Sequence, residues 1–419
     1  MEKSTIKNIR LNTIEKLTRY LTEELPRLSR ETAFDGPKVF SRSQQLLERL
    51  GNPQNFNKSV HVAGTSGKGT VCYMIDAILR AHNKRTALLV SPHVYDMRER
   101  AQINHQYTPE RLFIEAANEV LREVHKMASE ENAPSYYETM AAIAFTISTK
   151  RRVNYMIVEA GVGGRYDTSN TMKTHQKYCV ITQIGLDHTH ILGTTYEQIA
   201  HEKGAILYPG AQATILSQKK SVNQVFENIA ATLSASISWV EPQGKYEFDD
   251  LLIALNATRE IAGRDGWLFD EEAARNAVKR LYIPGRFEKR TLQDRLVILD
   301  GAHNPQKLAA LADRLNRESN SPATILFSMN LRGDIRSSLT ALKPVCDELV
   351  ICEFFYDQPR IRKRSAKASD VSTIAHELGF EKVTVEPSPQ NAMRYALNAE
   401  RPIVVCGSFY LLGVIDKMF

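Results

Sequence analysis

The chain has 419 residues, of which 43% are hydrophobic and 24% are charged. This composition is typical of a globular protein and excludes a disordered, collagen-like or disulfide-rich chain, while the length fits two domains, or three, of roughly 150 residues each. Lys and Arg outnumber Asp and Glu by 54 to 48, and the resulting formal charge of +6 suits anionic small molecules as well as nucleic acid.

The sequence also predicts a reducing compartment and no membrane span. The five cysteines form no Cys-x-x-Cys pair and no zinc-ligand spacing, and three of them stand in apolar runs typical of strands. The first residues, MEKSTIKNIRL, contain no apolar signal core, and no run of about 18 apolar residues occurs. We therefore expect a cytoplasmic protein with buried thiols.

Short apolar runs alternate with segments of helical period along most of the chain. Five runs read as buried strands before Pro284-Gly285: 59–64, 85–91, 153–161, 177–185 and 212–217. Five more follow it: 296–301, 323–328, 348–355, 382–387 and 402–407. This alternation predicts an α/β fold of two domains, a P-loop-type, mostly parallel sheet with helices on both faces at 1–284 and a smaller Rossmann-like domain at 285–419.

A glycine-rich turn, HVAGTSGKGTVC at residues 61–72, joins the first strand to a helix. That helix is indicated by one apolar stripe formed by Val71, Met74, Ile75, Ile78 and Leu79. Glycines turn backbone N–H groups inward, the helix adds its positive N-terminus, and Lys68 adds a full charge, which together predict a triphosphate site. The spacing departs from the usual phosphate-loop signature, because only two residues separate Gly64 from Gly67.

This loop resembles that of the folylpolyglutamate synthase and dihydrofolate synthase family, the folate branch of the Mur ligase superfamily. The family form T-x-G-K-G-S/T is matched from Thr65 to Thr70, with Ser66 in place of the usual Asn. Further family motifs are matched, in order, by residues 91–104, 159–170, 184–206, 284–288, 299–305 and 406–413. The resemblance covers nearly the whole chain and implies a Mur-ligase-like, ATP-binding central domain followed by a glutamate-ligase domain.

The resemblance implies an ATP-dependent acid–amino-acid ligase. ATP phosphorylates a carboxylate, the amine of L-glutamate attacks the acyl phosphate, and an amide, ADP and phosphate result. The implied acceptor is dihydropteroate, a tetrahydrofolate (poly)glutamate, or both, and we expect no nucleic acid or membrane partner. Members of the family are commonly monomers. Two alternatives stay open: a Mur-type ligase with another carboxylate and amino-acid pair, and a catalytically silent nucleotide-binding regulator.

The matched motifs imply a set of nucleotide and metal residues. The implied nucleotide-binding residues are Gly64, Thr65, Ser66, Gly67, Lys68, Gly69, Thr70, Asn256 at the adenine, Arg286 and Asp300. The implied metal ligands are Ser91, Glu159, His188 and Lys203, of which Lys203 would carry a carbamate that helps to place the second of two Mg²⁺ ions. Carboxylate and hydroxyl oxygens suit Mg²⁺, and one imidazole is an unusual addition. Lys68, His188 and Lys203 are the implied catalytic residues.

Four further residues are implied to contact substrate. Arg98 and Arg100 follow the Ser-Pro-His motif, where the family has a folate-contacting loop, and His303 and Ser408 are implied to receive the incoming glutamate. Each candidate also has a plain structural reading: a helix lysine such as Lys203 is by default solvated, and a glutamate at a strand end is often a cap.

Two segments stand apart from these motifs. The interval from residue 210 to residue 256 is shorter than is usual in the family, and its middle reads mostly helical. The basic run at 360–367 reads as a solvated loop, with a polyanionic substrate tail or a nucleic-acid backbone as alternatives.

Overall fold

The structure is a computed structural model that describes residues 11–25, 35–55, 58–318, 322–331, 333–358 and 361–419, without the side chains of residues 247 and 356–363. The chain divides into two compact units. The first unit extends to Leu281, and the second comprises Tyr282–Phe419 together with the short excursion Val94–Asp96. The first half of the basic run at 360–367, residues 360–363, lies outside the described side chains. The domain limits 1–284 and 285–419 stay a prediction.

The first unit is built on an eight-stranded sheet with the order β4-β3-β2-β5-β1-β6-β7-β8. Its strands are β1 (Lys58–Ala63), β2 (Thr86–Leu89), β3 (Gln102–Ile103), β4 (Gln106–Tyr107), β5 (Tyr155–Glu159), β6 (Lys177–Ile181), β7 (Gln212–Leu216) and β8 (Ser236–Val240). All neighbouring strands from β2 to β8 are parallel, and only the β3 and β4 edge is antiparallel. The predicted α/β fold with a mostly parallel sheet is confirmed.

Helices cover this sheet. They are α1 (Ile14–Arg19), α2 (Gly36–Arg49), α3 (Lys68–Ala81), α4 (Glu110–Ser129), α5 (Tyr136–Lys150), α6 (Thr189–Leu192), α7 (Tyr196–Gly204), α8 (Lys220–Leu233), α9 (Tyr246–Asp265) and α10 (Glu271–Lys279). One core cluster packs α4 and α5 against β2 and β5, and another packs α7 and α8 against β6 and β7. These two clusters lie on one face, and α3 and α9 also contact the sheet; strand residues of both faces, such as His61 and Val62 in β1, are buried. Because both faces are covered, the central strands are continuous apolar runs rather than alternating ones.

The interval from 210 to 256 is only partly helical. Its middle forms α8, as predicted, but Ser236–Val240 then forms β8, a parallel strand at the sheet edge. The sequence does not reveal this strand because its first four residues are exposed or half-buried and lack an apolar run.

The second unit has a six-stranded sheet with the order β15-β12-β11-β16-β10-β9 and a separate hairpin of β13 and β14. Its strands are β9 (Glu288–Leu292), β10 (Arg295–Leu299), β11 (Ala323–Phe327), β12 (Cys346–Ile351), β13 (Phe355–Gln358), β14 (Ile361–Arg364), β15 (Val383–Val385) and β16 (Ile403–Cys406). Its helices are α11 (Pro305–Glu318), α12 (Ile335–Leu342), α13 (Ala368–Glu377), α14 (Pro389–Ala396) and α15 (Phe409–Ile415). Only β9 pairs antiparallel within the six-stranded sheet. In the described part of the chain, no helix is long and apolar enough to cross a membrane.

Candidate functional site

The loop between β1 and α3 has a backbone that requires glycine at two positions. The φ angle is +151° at Gly64 and +84° at Gly67. A Cβ atom at Gly64 would lie 1.9 Å from Oγ1 of Thr182, and one at Gly67 would lie 2.2 Å from Oδ1 of Asp250. Both glycines are therefore fixed by conformation and by close neighbours, independently of any ligand.

Hydrogen bonds hold this loop against the segment that follows β6. The N–H of Thr65 donates to the carbonyl of Gln183 at 2.7 Å, and its hydroxyl donates to the carbonyl of Gly185 at 3.0 Å. The Lys68 ammonium folds back over the loop and donates to the carbonyl of Gly64 at 3.0 Å. The hydroxyl of Ser66 is buried and has no hydrogen-bond partner within the described residues. A buried orphan hydroxyl at the N-terminus of α3 is available to a phosphate oxygen.

Ser91 and Glu159 meet at the carboxyl ends of β2 and β5. Glu159 is the last residue of β5 and is only 4% exposed, and its Oε2 accepts a hydrogen bond of 2.8 Å from the backbone N–H of Ser91. Two of the four residues that the sequence predicts as metal ligands are thus brought together by adjacent parallel strands. This is the edge at which ligands bind in open α/β sheets.

His188 stands where α6 begins, with φ +49°. The side chain of His188 is 45% exposed, and its partial burial lowers its pKa. The negative charge of Asp187 opposes this shift, and the positive charges of Lys203 and Lys68 increase it. His188 is therefore neutral near pH 7, which is the form that coordinates metal.

Lys203 does not lie on a solvated helix face. It is 3% exposed within α7, in contrast to the default expectation for a helix lysine. The carbamate at Lys203 stays a prediction.

The donor set at this edge fits a hard divalent cation. Glu159 and Ser91 supply oxygen, and His188 supplies a neutral nitrogen. Among the described residues, no three His, Cys, Asp or Glu side chains are close enough together to hold a metal by themselves. A complete ligand set would therefore include the Ser91 hydroxyl, a modified Lys203, or oxygen atoms of the nucleotide.

Asn256 and Asp250 lie on different faces of α9, and only Asp250 reaches the loop between β1 and α3. The side-chain oxygen of Asn256 accepts hydrogen bonds from Thr214 at 2.8 Å and from Ser238 at 3.1 Å, which connects α9 to β7 and β8. Asp250, six residues earlier, places its carboxylate against Gly67. The adenine role of Asn256 stays a prediction. Sequence reasoning missed Asp250, because residues six apart in a helix lie on different faces and no motif includes Asp250.

Arg98 and Arg100 belong to the short 3-10 helix Met97–Arg100 of the first unit. The guanidinium of Arg98 lies 5.2 Å from the ring centre of Tyr107, and that of Arg100 lies 5.3 Å from the ring centre of Tyr136. Arg100 is nearly buried and its Nε donates to Nδ1 of His93 at 2.8 Å. Arg100 is thus held in one orientation. The substrate roles of both arginines stay a prediction.

The other four predicted residues lie in the second unit. Asp300 follows β10, and its carboxylate accepts backbone hydrogen bonds from Phe287 and Ala302, both of 2.8 Å. Burial raises the pKa of Asp300, and the charge of Arg286 opposes this shift. Arg286 itself lies over the ring of Phe409, 4.7 Å from its centre. Asp300 therefore shapes the turn that carries Arg286.

His303 and Ser408 follow neighbouring strands. The backbone N–H of Gly407 donates to the carbonyl of Ala302 at 2.9 Å, which ties the turn after β16 to the turn after β10. Ser408 is buried and caps α15, where its hydroxyl accepts from the N–H of Tyr410 at 3.2 Å. The predicted residues thus form two groups, one in each unit.

Comparison with known proteins identifies the family. A family model described as the Mur ligase middle domain matches residues 62–239, and one described as the dihydrofolate synthetase C-terminal domain matches residues 285–418. The chain belongs to the folylpolyglutamate synthase and dihydrofolate synthase family. The identification made from the sequence motifs is thereby confirmed.

Three relatives of this family member illustrate the similarity. The dihydrofolate synthase/folylpolyglutamate synthase of Bacillus subtilis is 27% identical, over 90% of this chain and 94% of the relative. The Mycobacterium tuberculosis folylpolyglutamate synthase, solved in complex with ADP, is 25% identical with a TM-score of 0.82, over 94% of this chain and 96% of that chain. The bifunctional enzyme solved with Mn, AMPPNP and L-glutamate bound shares the fold at a TM-score of 0.79 and 24% identity, over 98% of both chains.

Proposed function

We propose that this protein joins L-glutamate to dihydropteroate, to a tetrahydrofolate (poly)glutamate, or to both, in an ATP-dependent reaction through an acyl phosphate. The observation that carries the proposal is the loop between β1 and α3, where the Lys68 ammonium and the orphaned hydroxyl of Ser66 lie at a helix N-terminus. Family membership supports the ligase activity. The description of the C-terminal family model favours dihydropteroate as the first acceptor to test.

The first unit would bind and orient the nucleotide. The N-terminus of α3 and the ammonium of Lys68 offset the negative charge of the phosphates, while Gly64 and Gly67 let the backbone approach them closely. Phosphoryl transfer needs little covalent chemistry from the protein, because alignment and charge neutralisation account for most of the rate. Lys68 therefore holds the γ-phosphate in line with the attacking carboxylate.

Two magnesium ions are part of the proposal, with Ser91, Glu159, His188 and a carbamylated Lys203 as the residues that would hold them. A bound divalent cation supplies charge neutralisation on the phosphate oxygens. A relative solved with Mn and AMPPNP supports a divalent metal together with ATP. The Ser91 N–H fixes the Glu159 carboxylate before any ligand arrives.

The second unit would bind the amino acid. His303 and Ser408 lie on tied turns at one edge of its sheet, and Arg286 is fixed over Phe409 close to Asp300. We further propose a monomeric, cytoplasmic enzyme whose partners are small molecules. Among the described residues, no helix could span a membrane.

The proposal is tested by ADP release from purified protein with Mg-ATP and L-glutamate. Dihydropteroate, tetrahydrofolate and no acceptor are compared, and products are weighed by mass spectrometry. Turnover with dihydropteroate identifies a dihydrofolate synthase, and a ladder of glutamate masses on tetrahydrofolate adds the polyglutamate activity. Protein that binds ATP yet turns over neither acceptor would contradict the proposal and favour another carboxylate or a silent regulator.

A further inference from the structure

His303 has a defined tautomer in the second unit. Its Nδ1 lies 2.7 Å from the carbonyl oxygen of Gly301, and its Nε2 lies 3.2 Å from the ammonium of Lys307. A carbonyl oxygen only accepts, so Nδ1 carries the hydrogen and Nε2 presents its lone pair. An ammonium only donates, so Lys307 donates to Nε2. The pair therefore consists of a neutral imidazole and a charged lysine.

The positive charge at this edge therefore resides on Lys307 rather than on His303. A second cation at His303 would stand 3.2 Å from the lysine nitrogen, which disfavours imidazolium. Ser408 contributes a hydroxyl but no charge, and the charge of Arg286 is opposed by the half-buried carboxylate of Asp300. Lys307 is half-buried in the first turn of α11, one helical turn after His303.

L-Glutamate brings two carboxylates to its binding site, and its amine must be neutral when it attacks. We propose that Lys307 binds a carboxylate of the incoming L-glutamate, with His303 as the neutral partner that orients the ammonium. An ammonium has three hydrogens, so a lysine can donate to an imidazole and to a carboxylate at once. This inference rests on the proposed ligase function, and no motif in the sequence points to Lys307.

Steady-state kinetics of a Lys307→Met variant test the assignment, because methionine keeps the aliphatic length and removes the charge. At saturating Mg-ATP and dihydropteroate, we expect the KM for L-glutamate to rise about ten- to hundredfold, the effect of losing one hydrogen bond to a charged group. The KM values for ATP and for the acceptor should change by less than about twofold. Lys307→Arg should recover part of the loss, because it restores the charge with different geometry.

The matched control is Lys382→Met, which removes another lysine of the second unit. Lys382 is 61% exposed and pairs with Asp347 at 3.2 Å. This variant should keep wild-type constants, which separates the local effect of Lys307 from a general loss of positive charge.

The outcomes separate this inference from the ligase function itself. Wild-type turnover with an unchanged KM for L-glutamate in Lys307→Met overturns the role of Lys307 and leaves the ligase intact. If the wild type shows no turnover, calorimetric titration of L-glutamate into protein saturated with AMPPNP decides. Binding that Lys307→Met loses and Lys382→Met retains supports the inference, and the absence of binding to the wild type, or equal binding to both variants, overturns it.

Discussion

Substitution of Gly67 by alanine tests the loop geometry most sharply. The change forces a residue with a Cβ atom to φ +84° and places that atom 2.2 Å from Oδ1 of Asp250. The chain offers a matched control in Gly210, which has φ +76° and nothing within 4 Å of its Cβ position. Gly210→Ala therefore reports the backbone strain alone, and Gly67→Ala reports the strain together with the contact.

The expected magnitudes follow from these two contributions. A left-handed conformation costs a residue with a side chain about 1–2 kcal/mol, and the stiffer unfolded chain returns about 0.4–1 kcal/mol, so Gly210→Ala should lower the free energy of unfolding by about 1 kcal/mol. Because Oδ1 is the end of a half-buried side chain that can rotate away, the crowding should add about 1 kcal/mol, the low end of the overpacking range, which brings Gly67→Ala to about 2 kcal/mol. Combining Gly67→Ala with Asp250→Ala should recover most of the added cost.

The assay is urea unfolding of the wild type, the two glycine variants, Asp250→Ala and the Gly67/Asp250 double variant, each with and without ADP. The double-mutant cycle isolates the coupling between Gly67 and Asp250. ADP should raise the stability of Gly210→Ala as much as that of the wild type, and raise that of Gly67→Ala less. Equal destabilisation by the two glycine variants, or no coupling between Gly67 and Asp250, would refute the described packing of α9 on the loop.

Three further predictions concern charge. Lys68→Ala should abolish glutamate-dependent ADP release and reduce the stabilisation by ADP, and a variant with full turnover would contradict the loop assignment. Burial lowers the pKa of His61 well below its ordinary value of 6.5. Below about pH 6.5 this histidine therefore binds a proton in the unfolded chain but not in the folded chain, so the free energy of unfolding falls as the pH drops. The stability advantage of the wild type over His61→Gln should thus shrink by about 1.4 kcal/mol between about pH 7.5 and about pH 5.5 in denaturant titrations, and a constant difference would exclude this effect. Arg42→Met should cost about 3–5 kcal/mol in the free energy of unfolding, because it leaves the buried carboxylate of Glu138 without the cation 2.7 Å away; a cost near zero would mean that water reaches the pair.

The fold could be predicted largely from runs of apolar residues, and the exceptions share a physical cause. Strands such as β5 and β16 are buried on both faces and so form continuous apolar runs. In contrast, β8 and β9 lie at sheet edges, and exposed or half-buried residues interrupt their pattern. The excursion Val94–Asp96 depends on contacts with residues distant in sequence, among them the hydrogen bond from the Tyr95 hydroxyl to Glu288 at 2.7 Å. No local pattern encodes such a contact.

The candidate site residues also fall into those that the sequence predicts and those that it does not. Motifs led to Glu159, His188 and His303, because each ends a strand or lies in the segment that follows one, where chemistry-bearing residues of parallel sheets collect. Asp250 and Lys307 stand inside helices, where an acidic or basic residue reads as a solvated face until packing shows what it touches. Only the structure could show that Asp250 lies against Gly67 and that Lys307 lies beside His303.

The central claim is that this chain makes an amide through an acyl phosphate, and oxygen transfer tests it most directly. Dihydropteroate whose carboxylate carries ¹⁸O is incubated with the protein, Mg-ATP and L-glutamate, and the released phosphate is weighed. When the carboxylate attacks the γ-phosphorus and the amine later displaces phosphate, one labelled oxygen leaves with the phosphate. We predict one ¹⁸O in each phosphate formed together with the amide, and unlabelled phosphate in the presence of amide product would contradict the account.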